Sequence, residues 1–557
     1  MTGTAAKQEI SDTKAPLVMQ EVELKFTLPR SNLTELSDGE WFNGIATAIN
    51  QEDQKLISRY YDTPNCDFQR LGAALRIRNK GGKWLQHLKW KDRTGSVAGG
   101  TSRTELEWQL GEGSTTPTPD TDMIIAGVDA DKLKLPEGWE DTLAPVFESD
   151  VNRLAQTVQI GNSKVELALD RGSLKTDATE RPLSEVELEL VEGAVADIYR
   201  LAERLVQVSG ARLAAGSKAA QGYHLAQGTR PSATKSEAAP LKRGETARDA
   251  LAQQAGQTLA DLMANQTVVL EDAGPEGVHQ MRVALRRMDA IVRPLRPWLT
   301  SKAAIELMED LRWLRQSLGP LRNWDVFLTE TLVELSPDHG NTDDIPSSTK
   351  RKAKSTDLPA MIRPAVNALR QAAKTQVFKT LNDHRYADLL LRLALIASGG
   401  AKGLGRTAGD EKHLAQPFQG IAARWLIEQQ LTMSARGQRL DAIAPARQHR
   451  FRLKIKKTRY VAELLRSIDL KKPLKRLSKQ MARLQDRLGH QNDVFTALEL
   501  MEEVRLHPML EHDVDARAGI DKQLKSWRKE LKDKDPGITQ LWLEIEAAGD
   551  DWIIARR

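Results

Sequence analysis

The spacing of apolar residues changes once along this 557-residue chain, and that change restricts the folds it can adopt. From about residue 19 to 190, short segments alternate apolar and polar residues, the pattern of β-strands with one buried face. An amphipathic helix is predicted over about 192–212. From about 245 onward, apolar residues recur at i, i+3 and i+4, which predicts helices almost throughout. The chain therefore divides into a β-rich N-terminal half and an all-helical C-terminal half.

The predicted strands share an unusual polarity, with charged residues on one face and apolar residues on the other. The charged faces comprise Glu21, Glu23 and Lys25; Arg76 and Arg78; Lys89 and Lys91; Arg103, Glu105 and Glu107; Glu166 and Asp170; and Glu185, Glu187 and Glu189. For any one strand, a solvent-facing surface is the simpler interpretation. Because several strands repeat the pattern, we predict a closed tunnel with a charged lumen and an apolar exterior covered by helices.

The two signs of charge in this lumen indicate its ligand. Buried charges are tolerated when they are paired with each other or bound to a ligand or metal. Arginine and lysine bind phosphate oxygens, and carboxylates bind the hard divalent cations that accompany phosphates. A phosphate chain with its metal ion fits both walls.

The order of these motifs resembles the CYTH, or triphosphate tunnel metalloenzyme, family. Glu21-Val22-Glu23-Leu24-Lys25 matches the ExExK signature of that family, which by itself is weakly specific. The other motifs follow in family order over about 200 residues: Tyr60-Tyr61-Asp62-Thr63-Pro64, Leu75-Arg76-Ile77-Arg78, His87-Leu88-Lys89, Arg103-Thr104-Glu105, Arg153, Asp170-Arg171-Gly172, Glu187-Leu188-Glu189-Leu190 and Ser217-Lys218. The ordered set is far more specific than its first member.

The resemblance implies an eight-stranded antiparallel β tunnel that binds triphosphate and hydrolyses or cyclises it. It assigns the phosphate grip to Lys25, Arg76, Arg78, Lys89, Arg103, Arg153 and Lys218. It assigns Mg²⁺ or Mn²⁺ to Glu21, Glu23, Asp170, Glu187 and Glu189. Arg59, Lys91, Glu105, Glu107 and Glu185 are further lumen candidates, and His87 is either a phosphate contact or a structural residue. Phosphoryl transfer needs positioning and charge stabilisation, and no residue arrangement indicates a covalent intermediate.

The helical half contains an internal repeat. The segment from His279 to Arg287 aligns without gaps with the segment from His449 to Lys457, a constant separation of 170 residues. About forty residues after each segment comes a similar Leu-Gly and Asp-Val-Phe pattern. Duplication at this distance predicts two helical bundles related by a pseudo-two-fold axis.

In each copy, a histidine and basic residues three and seven positions later lie on one helical face. Such a stripe is usually a solvated face, but its recurrence favours a shared anion groove. The repeats resemble the CHAD domain (conserved histidine α-helical domain), which implies polyphosphate binding by His279, Arg282, Arg286, Arg287, His449, Arg452, Lys456, Lys457 and Arg459. Arg293, Arg312, Arg315, Arg322, Arg483 and Arg487 are candidates to extend the groove. The first copy has Ala284 and Asp289 where the second has Lys454 and Arg459, which predicts a lopsided groove.

Nucleic acid is the rival ligand for a basic stripe. Aromatic residues are 5% of the chain, and only Phe451 and Tyr460 are interleaved with the basic residues. A base-stacking platform needs more of them. We therefore rank nucleic acid below polyphosphate.

Three functions remain open. The first is an inorganic triphosphatase that cleaves tripolyphosphate to pyrophosphate and phosphate. The second is a thiamine triphosphatase or a class IV adenylate cyclase, although no pocket for a base is identified. The third is a non-catalytic polyphosphate-binding protein associated with polyphosphate granules, for which the acidic residues would be superfluous. We favour the first.

Cysteine content and hydropathy bear on location. The single cysteine, Cys66, excludes an intramolecular disulfide and suits a reducing compartment. No apolar stretch of signal-peptide or membrane-span length occurs in the sequence. We therefore expect a cytoplasmic protein without a membrane partner.

These patterns predict an α+β multidomain fold, with the β tunnel followed by a duplicated all-α bundle. The stretch 226–240 is rich in Ala, Ser, Thr and Pro without periodicity, which is typical of a linker. The polar stretch 342–357 is predicted to be a mobile insertion. The expected boundaries are a disordered extension 1–18, a CYTH domain 19–225, a linker 226–244, a CHAD domain 245–535 and a helical tail 536–557.

Overall fold

The structure is a computed structural model. It describes residues 23–91, 103–128, 133–214, 216–335, 357–400, 403–442, 445–531 and 537–556. The predicted extension 1–18 and residues 342–356 of the predicted insertion lie outside the described residues. The chain forms two compact units, of which the first ends at Thr229 and the second begins at Arg230. Each unit is described by itself.

The N-terminal unit is built on one antiparallel sheet. Its strands are β1 Glu23–Thr27, β2 Thr47–Asp62, β3 Ala73–Lys80, β4 Lys83–Lys91, β5 Arg103–Glu112, β6 Ala144–Ile160, β7 Ser163–Lys175, β8 Glu180–Glu192 and β9 Arg212–Leu213. The hydrogen-bonded order is β5-β4-β3-β2-β6-β7-β8-β1-β9. The predicted antiparallel sheet is confirmed, with a two-residue ninth strand added beside β1. Among the described residues no pairing joins β5 to β9, so hydrogen bonds do not close the predicted tunnel.

The apolar face of this sheet is covered, as the alternation predicts. Leu75, Ile77 and Leu88 are fully buried on the face opposite the charged residues, in a cluster that includes Phe68 and Trp139. The helices of this unit are α1 Arg30–Glu35, α2 Asp67–Arg70, α3 Thr121–Gly127, α4 Val195–Ser209 and α5 Lys218–Gln227. Helix α4 confirms the amphipathic helix predicted over about 192–212.

Helix α5 lies against the opposite, charged face of the sheet. A Cβ atom at Gly222 would come within 2.0 Å of the Phe147 ring, so glycine allows the helix to approach β6 this closely. The helix starts at the Ser217 N-cap, whose hydroxyl accepts a hydrogen bond from the Ala220 amide at 3.2 Å. This packing places the N-terminus of α5, with its unpaired amide groups, at the concave side of the sheet.

The second unit is helical in its described part. Its helices are α6 Ala247–Leu270, α7 Glu276–Leu295, α8 Lys302–Ser317, α9 Gly319–Val326, α10 Leu332–Glu334, α11 Leu358–Leu381, α12 His384–Leu395, α13 Ala408–Leu414, α14 Phe418–Gly437, α15 Pro445–Leu465, α16 Lys471–Arg505, α17 Val514–Glu530 and α18 Gly537–Arg556. Among the described residues, none of the long helices combines the hydropathy and the low charge that a membrane crossing requires.

The predicted duplication is visible in the helix boundaries. Helices α6 and α14, and likewise α7 and α15, begin about 170 residues apart. The first residues of α6 and α14 pair with each other: the Ala247 amide donates to the Gln416 carbonyl at 2.8 Å, and the Phe418 amide donates to the Glu245 carbonyl at 2.9 Å. This reciprocal pairing is what a pseudo-two-fold axis between the copies would produce.

The copies differ after their second helix. In the second copy α16 runs without a break through Gly489-His490, whereas the first copy has Gly319-Pro320 and divides into α8, α9 and α10. Proline cannot donate the backbone hydrogen bond that would join two helical turns. The same secondary pattern is therefore one long helix in one copy and an interrupted helix in the other.

No helix or strand occupies residues 229–245, which fall largely within the predicted linker 226–244. Part of this segment nevertheless packs onto the helical unit. Ser236 is buried, its amide hydrogen bonds with the Gln280 side chain at 2.9 Å, and its hydroxyl donates to Asp261 at 2.5 Å. These contacts tie the segment to α6 and α7.

Candidate functional site

A cavity of about 460 Å³ occupies the concave face of the sheet. It is lined by Glu23 and Lys25 near one edge of the sheet and by Glu105 and Glu107 at the other. The sheet therefore curves until strands from its two ends face one space. The N-terminus of α5, residues 216–220, forms another wall and turns its positive end toward the cavity.

Six of the predicted phosphate-gripping residues line this cavity: Lys25, Arg76, Arg78, Lys89, Arg153 and Lys218. They come from five elements besides β1 and β3, or from those two, because alternate residues of neighbouring strands point to the same side. Burial, followed by the nearby charge of Arg76, lowers the pKa of Arg78 to about 9. A cation held this close to another cation is stabilised when a polyanion enters.

Glu187 lies where three of these cations meet. Its carboxylate accepts from Lys25 at 2.9 Å, from Lys218 at 2.7 Å and from Arg153 at 2.5 Å. Burial favours the neutral acid, but the charges of Lys218, Lys25 and Arg153 hold the pKa of Glu187 well below its usual range. Glu187 is therefore ionised and organises the basic wall in the absence of a ligand.

Asp170 lies behind this wall. It is fully buried, is not among the residues that line the cavity, and accepts hydrogen bonds from Arg153 and an ion pair from Lys218 at 2.8 Å. Sequence placed Asp170 with the metal ligands. In the structure its contacts are those of an anchor for two phosphate-gripping side chains.

Glu23 and Glu189 face each other across neighbouring strands. They are direct cross-strand partners of β1 and β8, and both line the cavity. Across the described parts of the chain, no group of three or more His, Cys, Asp or Glu residues is arranged to hold a metal ion. A pair of carboxylates is sufficient for Mg²⁺, which commonly retains waters and takes its other ligands from substrate phosphates. Glu23 and Glu189 thus fit a divalent cation that binds together with a phosphate chain.

His87 and Glu105 form a buried pair on the opposite wall. The His87 Nδ1 atom lies 3.0 Å from Glu105, which is also bound by Lys89 at 2.5 Å. Although burial raises the pKa of the Glu105 carboxyl, the hydrogen bond with His87 and the charge of Lys89 lower it to about 2. Because an ionised carboxylate can only accept, Nδ1 carries the hydrogen and the Nε2 atom is left as an acceptor.

Other predicted residues fall outside this cluster or outside the described residues. Arg59 pairs with Glu148 at 3.1 Å. Glu185 is buried and accepts from Gln221 and Lys218. Glu21 and the side chains of Lys91 and Arg103 lie outside the described residues.

Sequence reasoning missed Tyr60 as part of the site. This residue lines the cavity, stacks on Phe147 with ring centroids 4.3 Å apart and lies beside Arg76. Burial raises its pKa, but the charges of Arg76 and Arg78 outweigh burial and lower the pKa of the Tyr60 hydroxyl. Its period-two register with Ser58 was the available signal, since Ser58 and Tyr60 are cross-strand partners of Arg78 and Arg76.

In the helical unit, the basic stripes of α7 and α15 come together. Arg282 donates to the Arg315 carbonyl at 2.8 Å, and Arg452, its counterpart 170 residues later, donates to the Gln485 carbonyl at 3.4 Å. Gly319 and Gly489 lie beside these two arginines, and a Cβ atom at either glycine would be 3.4 Å from a guanidinium nitrogen. The duplicated sequence thus positions both arginines in the same way.

Lys456 lies among the cations of both copies. Burial, followed by the charges of Arg286, Arg452, Arg282 and Arg459, lowers the pKa of Lys456 to about 7. Arg286 of the first copy also lies over the Tyr460 ring of the second, 5.7 Å from its centroid. We call this cluster of Arg282, Arg286, Arg452, Lys456 and Arg459 the shared basic groove.

The remaining predicted groove residues differ in position. His279 is half-buried near Arg322, and burial together with that charge lowers its pKa. His449 is exposed. Arg287 lies within electrostatic range of Asp261 on α6, and Lys457 lies near Arg293 and Asp289. The structure therefore gathers five of the nine predicted residues in the shared basic groove and spreads the other four around it.

Comparison with known proteins gives two family matches. Residues 19–223 match the CYTH domain and residues 253–502 match the CHAD domain. An inorganic triphosphatase of Haemophilus influenzae is 30% identical over 209 residues, which cover 38% of this chain and 56% of that protein. An uncharacterised protein of Mycobacterium tuberculosis is 28% identical over 329 residues, which cover 55% of this chain and 58% of that protein. The chain thus spans little more than half the length of these curated relatives.

Among solved structures, the CHAD domain of the plant Ricinus communis is similar to this chain. The sequence identity is 21%, the TM-score is 0.41, and the match covers 58% of this chain and 96% of the plant domain.

Proposed function

Because this chain joins a CYTH domain to a CHAD domain, we propose that it is a metal-dependent inorganic triphosphatase with a polyphosphate-binding helical unit. The substrate is tripolyphosphate and the products are pyrophosphate and phosphate. One observation carries the proposal: six cationic side chains and the carboxylates of Glu23, Glu187 and Glu189 surround one cavity of about 460 Å³.

The basic wall supplies the binding of the phosphate chain. Lys25, Arg153 and Lys218 are held by Glu187, and Arg76 and Arg78 lie on the facing strand β3. Arginine matches phosphate oxygens with paired donors, and preorganised cations stabilise the charge that shifts during transfer. The positive end of α5 adds to this field.

Glu23 and Glu189 would hold the metal ion, which when bound supplies neutralisation of phosphate charge and activation of water. The carboxylates also argue for catalysis over simple anion trapping, since a purely basic site would bind phosphate without them. Mg²⁺ or Mn²⁺ suits oxygen ligands of this kind.

The helical unit is proposed to bind long polyphosphate along the shared basic groove. Arg282 and Arg452 are fixed by backbone carbonyls, and Lys456 lies between the cations of both copies. Polyphosphate relieves the repulsion among these charges because it places an anion at each phosphate unit.

The test is a phosphate-release panel on the full chain with tripolyphosphate, thiamine triphosphate, ATP and long polyphosphate, each with Mg²⁺ or Mn²⁺. Release of pyrophosphate and phosphate from tripolyphosphate at the highest kcat/KM supports the proposal. Formation of cyclic AMP from ATP, or preferred hydrolysis of thiamine triphosphate, would assign the cavity to the second candidate function instead. No turnover of any of the four substrates would overturn the enzymatic role.

A further inference from the structure

A second cavity, of about 350 Å³, lies in the helical unit between α7 and α8, with α15 contributing one residue. Its charged lining consists of Asp289, Arg293, Arg296, Arg312, Arg315 and Lys457. Five basic side chains therefore surround a single carboxylate. Leu285, Val292 and Leu311 form an apolar floor beneath them.

Asp289 orients two of the five cations. It accepts from Arg293 through Nε at 2.9 Å and through Nη2 at 2.5 Å, and Arg315 reaches it at 3.4 Å. Arg296 and Arg312 make no ion pair or side-chain hydrogen bond with any residue that the structure describes. Lys457 is half-buried, and burial followed by the charge of Arg293 lowers its pKa. The cavity thus holds several positive charges without matching anions.

The duplication provides an internal comparison for this surplus. The residues 170 positions later are Arg459, Glu463, Arg466, Ala482 and Gln485, in place of Asp289, Arg293, Arg296, Arg312 and Arg315. Arg459 pairs with Glu463 at 2.9 Å, which reverses the order of the Asp289–Arg293 pair. The two arginines of α8 have no charged counterpart on α16. Because both copies form the same helix pair, packing does not require the extra charges of the first copy.

The cavity adjoins the shared basic groove. The Arg315 carbonyl accepts from Arg282 of the groove, while the Arg315 guanidinium turns to Asp289 in the cavity. A chain that lies in the groove can therefore reach the cavity past a single residue.

We propose that this cavity is a second anion site, which binds condensed phosphate either as free tripolyphosphate or as the end of a longer chain held in the groove. It extends the polyphosphate-binding role proposed for the helical unit and rests on it. Arginine guanidinium groups suit phosphate oxygens, and a multiply charged anion matches a surplus of several cations. The one-sided charge also makes the helical unit functionally asymmetric, although its two copies share their helix arrangement.

The experiment compares Arg296→Gln combined with Arg312→Gln against a control of equal charge change, Arg466→Gln combined with Arg476→Gln. Arg466 is the counterpart of Arg296 in the second copy, and all four side chains are exposed. Full-length protein is titrated calorimetrically with tripolyphosphate in EDTA, which prevents metal-dependent turnover, and separately with long polyphosphate. Wild type is expected to show two tripolyphosphate-binding events, one in the tunnel cavity and one in this cavity.

We expect the Arg296/Arg312 variant to bind tripolyphosphate about tenfold or more weakly in one of the two events, from the loss of charged hydrogen bonds. Weakening toward long polyphosphate alone would identify the chain end as the ligand source. Unchanged binding of both probes, or equal weakening in the control variant, would overturn the inference. Tripolyphosphate hydrolysis is measured in parallel, because its absence in wild type would overturn the proposed enzymatic function without bearing on the cavity.

Discussion

The Arg153 guanidinium donates two hydrogen bonds of 2.7 Å to the Asp170 carboxylate, and the Asp170 side chain is completely withdrawn from solvent. The same guanidinium reaches Glu187 at 2.5 Å on the cavity side. Asp170 therefore fixes the plane of Arg153 from behind, while Glu187 contacts it from the front. This relationship separates the acidic residues into anchors and cavity-facing groups.

Asp170→Asn should cost about 3–5 kcal/mol of the free energy of unfolding, because it leaves buried cations without their partner. It should also raise KM for tripolyphosphate, since Arg153 and Lys218 lose their positioning. Urea unfolding and steady-state kinetics at several metal concentrations measure both effects. A large rise in the metal concentration needed for half-maximal rate, with KM unchanged, would instead support the ligand role predicted from sequence.

Glu23→Gln should abolish metal-dependent turnover while the protein stays folded, because a neutral amide binds a divalent cation weakly. The Glu23 side chain is about a quarter exposed, so its loss leaves no large buried charge. Glu192→Gln is the matched control, since Glu192 is an exposed residue of β8 that pairs with Lys164. Hydrolysis of tripolyphosphate by Glu23→Gln at the wild-type rate would refute the metal assignment.

His87 should make folding stability depend on pH. Burial lowers its pKa to about 4 from an ordinary value of 6.5, and Arg76 and Arg78 act in the same direction. Protonation would place a hydrogen on the buried Nε2 atom, which has no hydrogen-bond partner in the described residues. Between pH 6.5 and 4 the unfolded chain binds more protons, so stability falls as the pH falls, by up to about 3 kcal/mol from this residue.

The measurement is urea unfolding of wild type and His87→Gln from pH 4 to 8. The variant should lose less stability than wild type as the pH falls through this window. Parallel curves for the two proteins would show that His87 is not the group responsible.

Polyphosphate binding by the helical unit should weaken above pH 7. Lys456, which faces Arg282, Arg286, Arg452 and Arg459, has a pKa of about 7 in the free protein, and a bound polyanion favours its charged form. Above that pH, binding must take up a proton, so the affinity for long polyphosphate should fall by up to about tenfold per pH unit from this group. Lys456→Arg should remove most of the dependence between pH 7 and 8.5, because arginine stays charged. A pH profile identical to wild type in that variant would contradict the assignment.

Arg282→Gln and Arg452→Gln should weaken long-polyphosphate binding to similar extents. Both arginines donate to the carbonyl of equivalent residues and lie against equivalent glycines, so each is held in the same geometry. Filter binding with long polyphosphate at fixed salt measures the effect. A loss confined to one variant would show that the groove is used from one side only.

Much of the cavity was predictable because strand geometry is local. Alternation alone places Glu23 with Lys25, Arg76 with Arg78 and His87 with Lys89 on common faces, and the structure shows these residues lining one space. Spacing at i, i+3 and i+7 likewise places Arg282 and Arg286 on one helical face. Such relations depend only on the repeat of the strand or helix, which the side-chain pattern reports directly.

The sequence by itself therefore determined the two-part architecture, the charged faces and the internal repeat. Only the tertiary structure decided which charges meet, because strand order and register bring together residues that are far apart in the chain. It paired Glu187 with Lys25 and Lys218, withdrew Asp170 behind Arg153, and turned Arg287 toward Asp261. It also decided that two copies of one sequence pattern surround different charge, since Asp289 can organise the arginines of α8 only where α7 and α8 enclose a cavity.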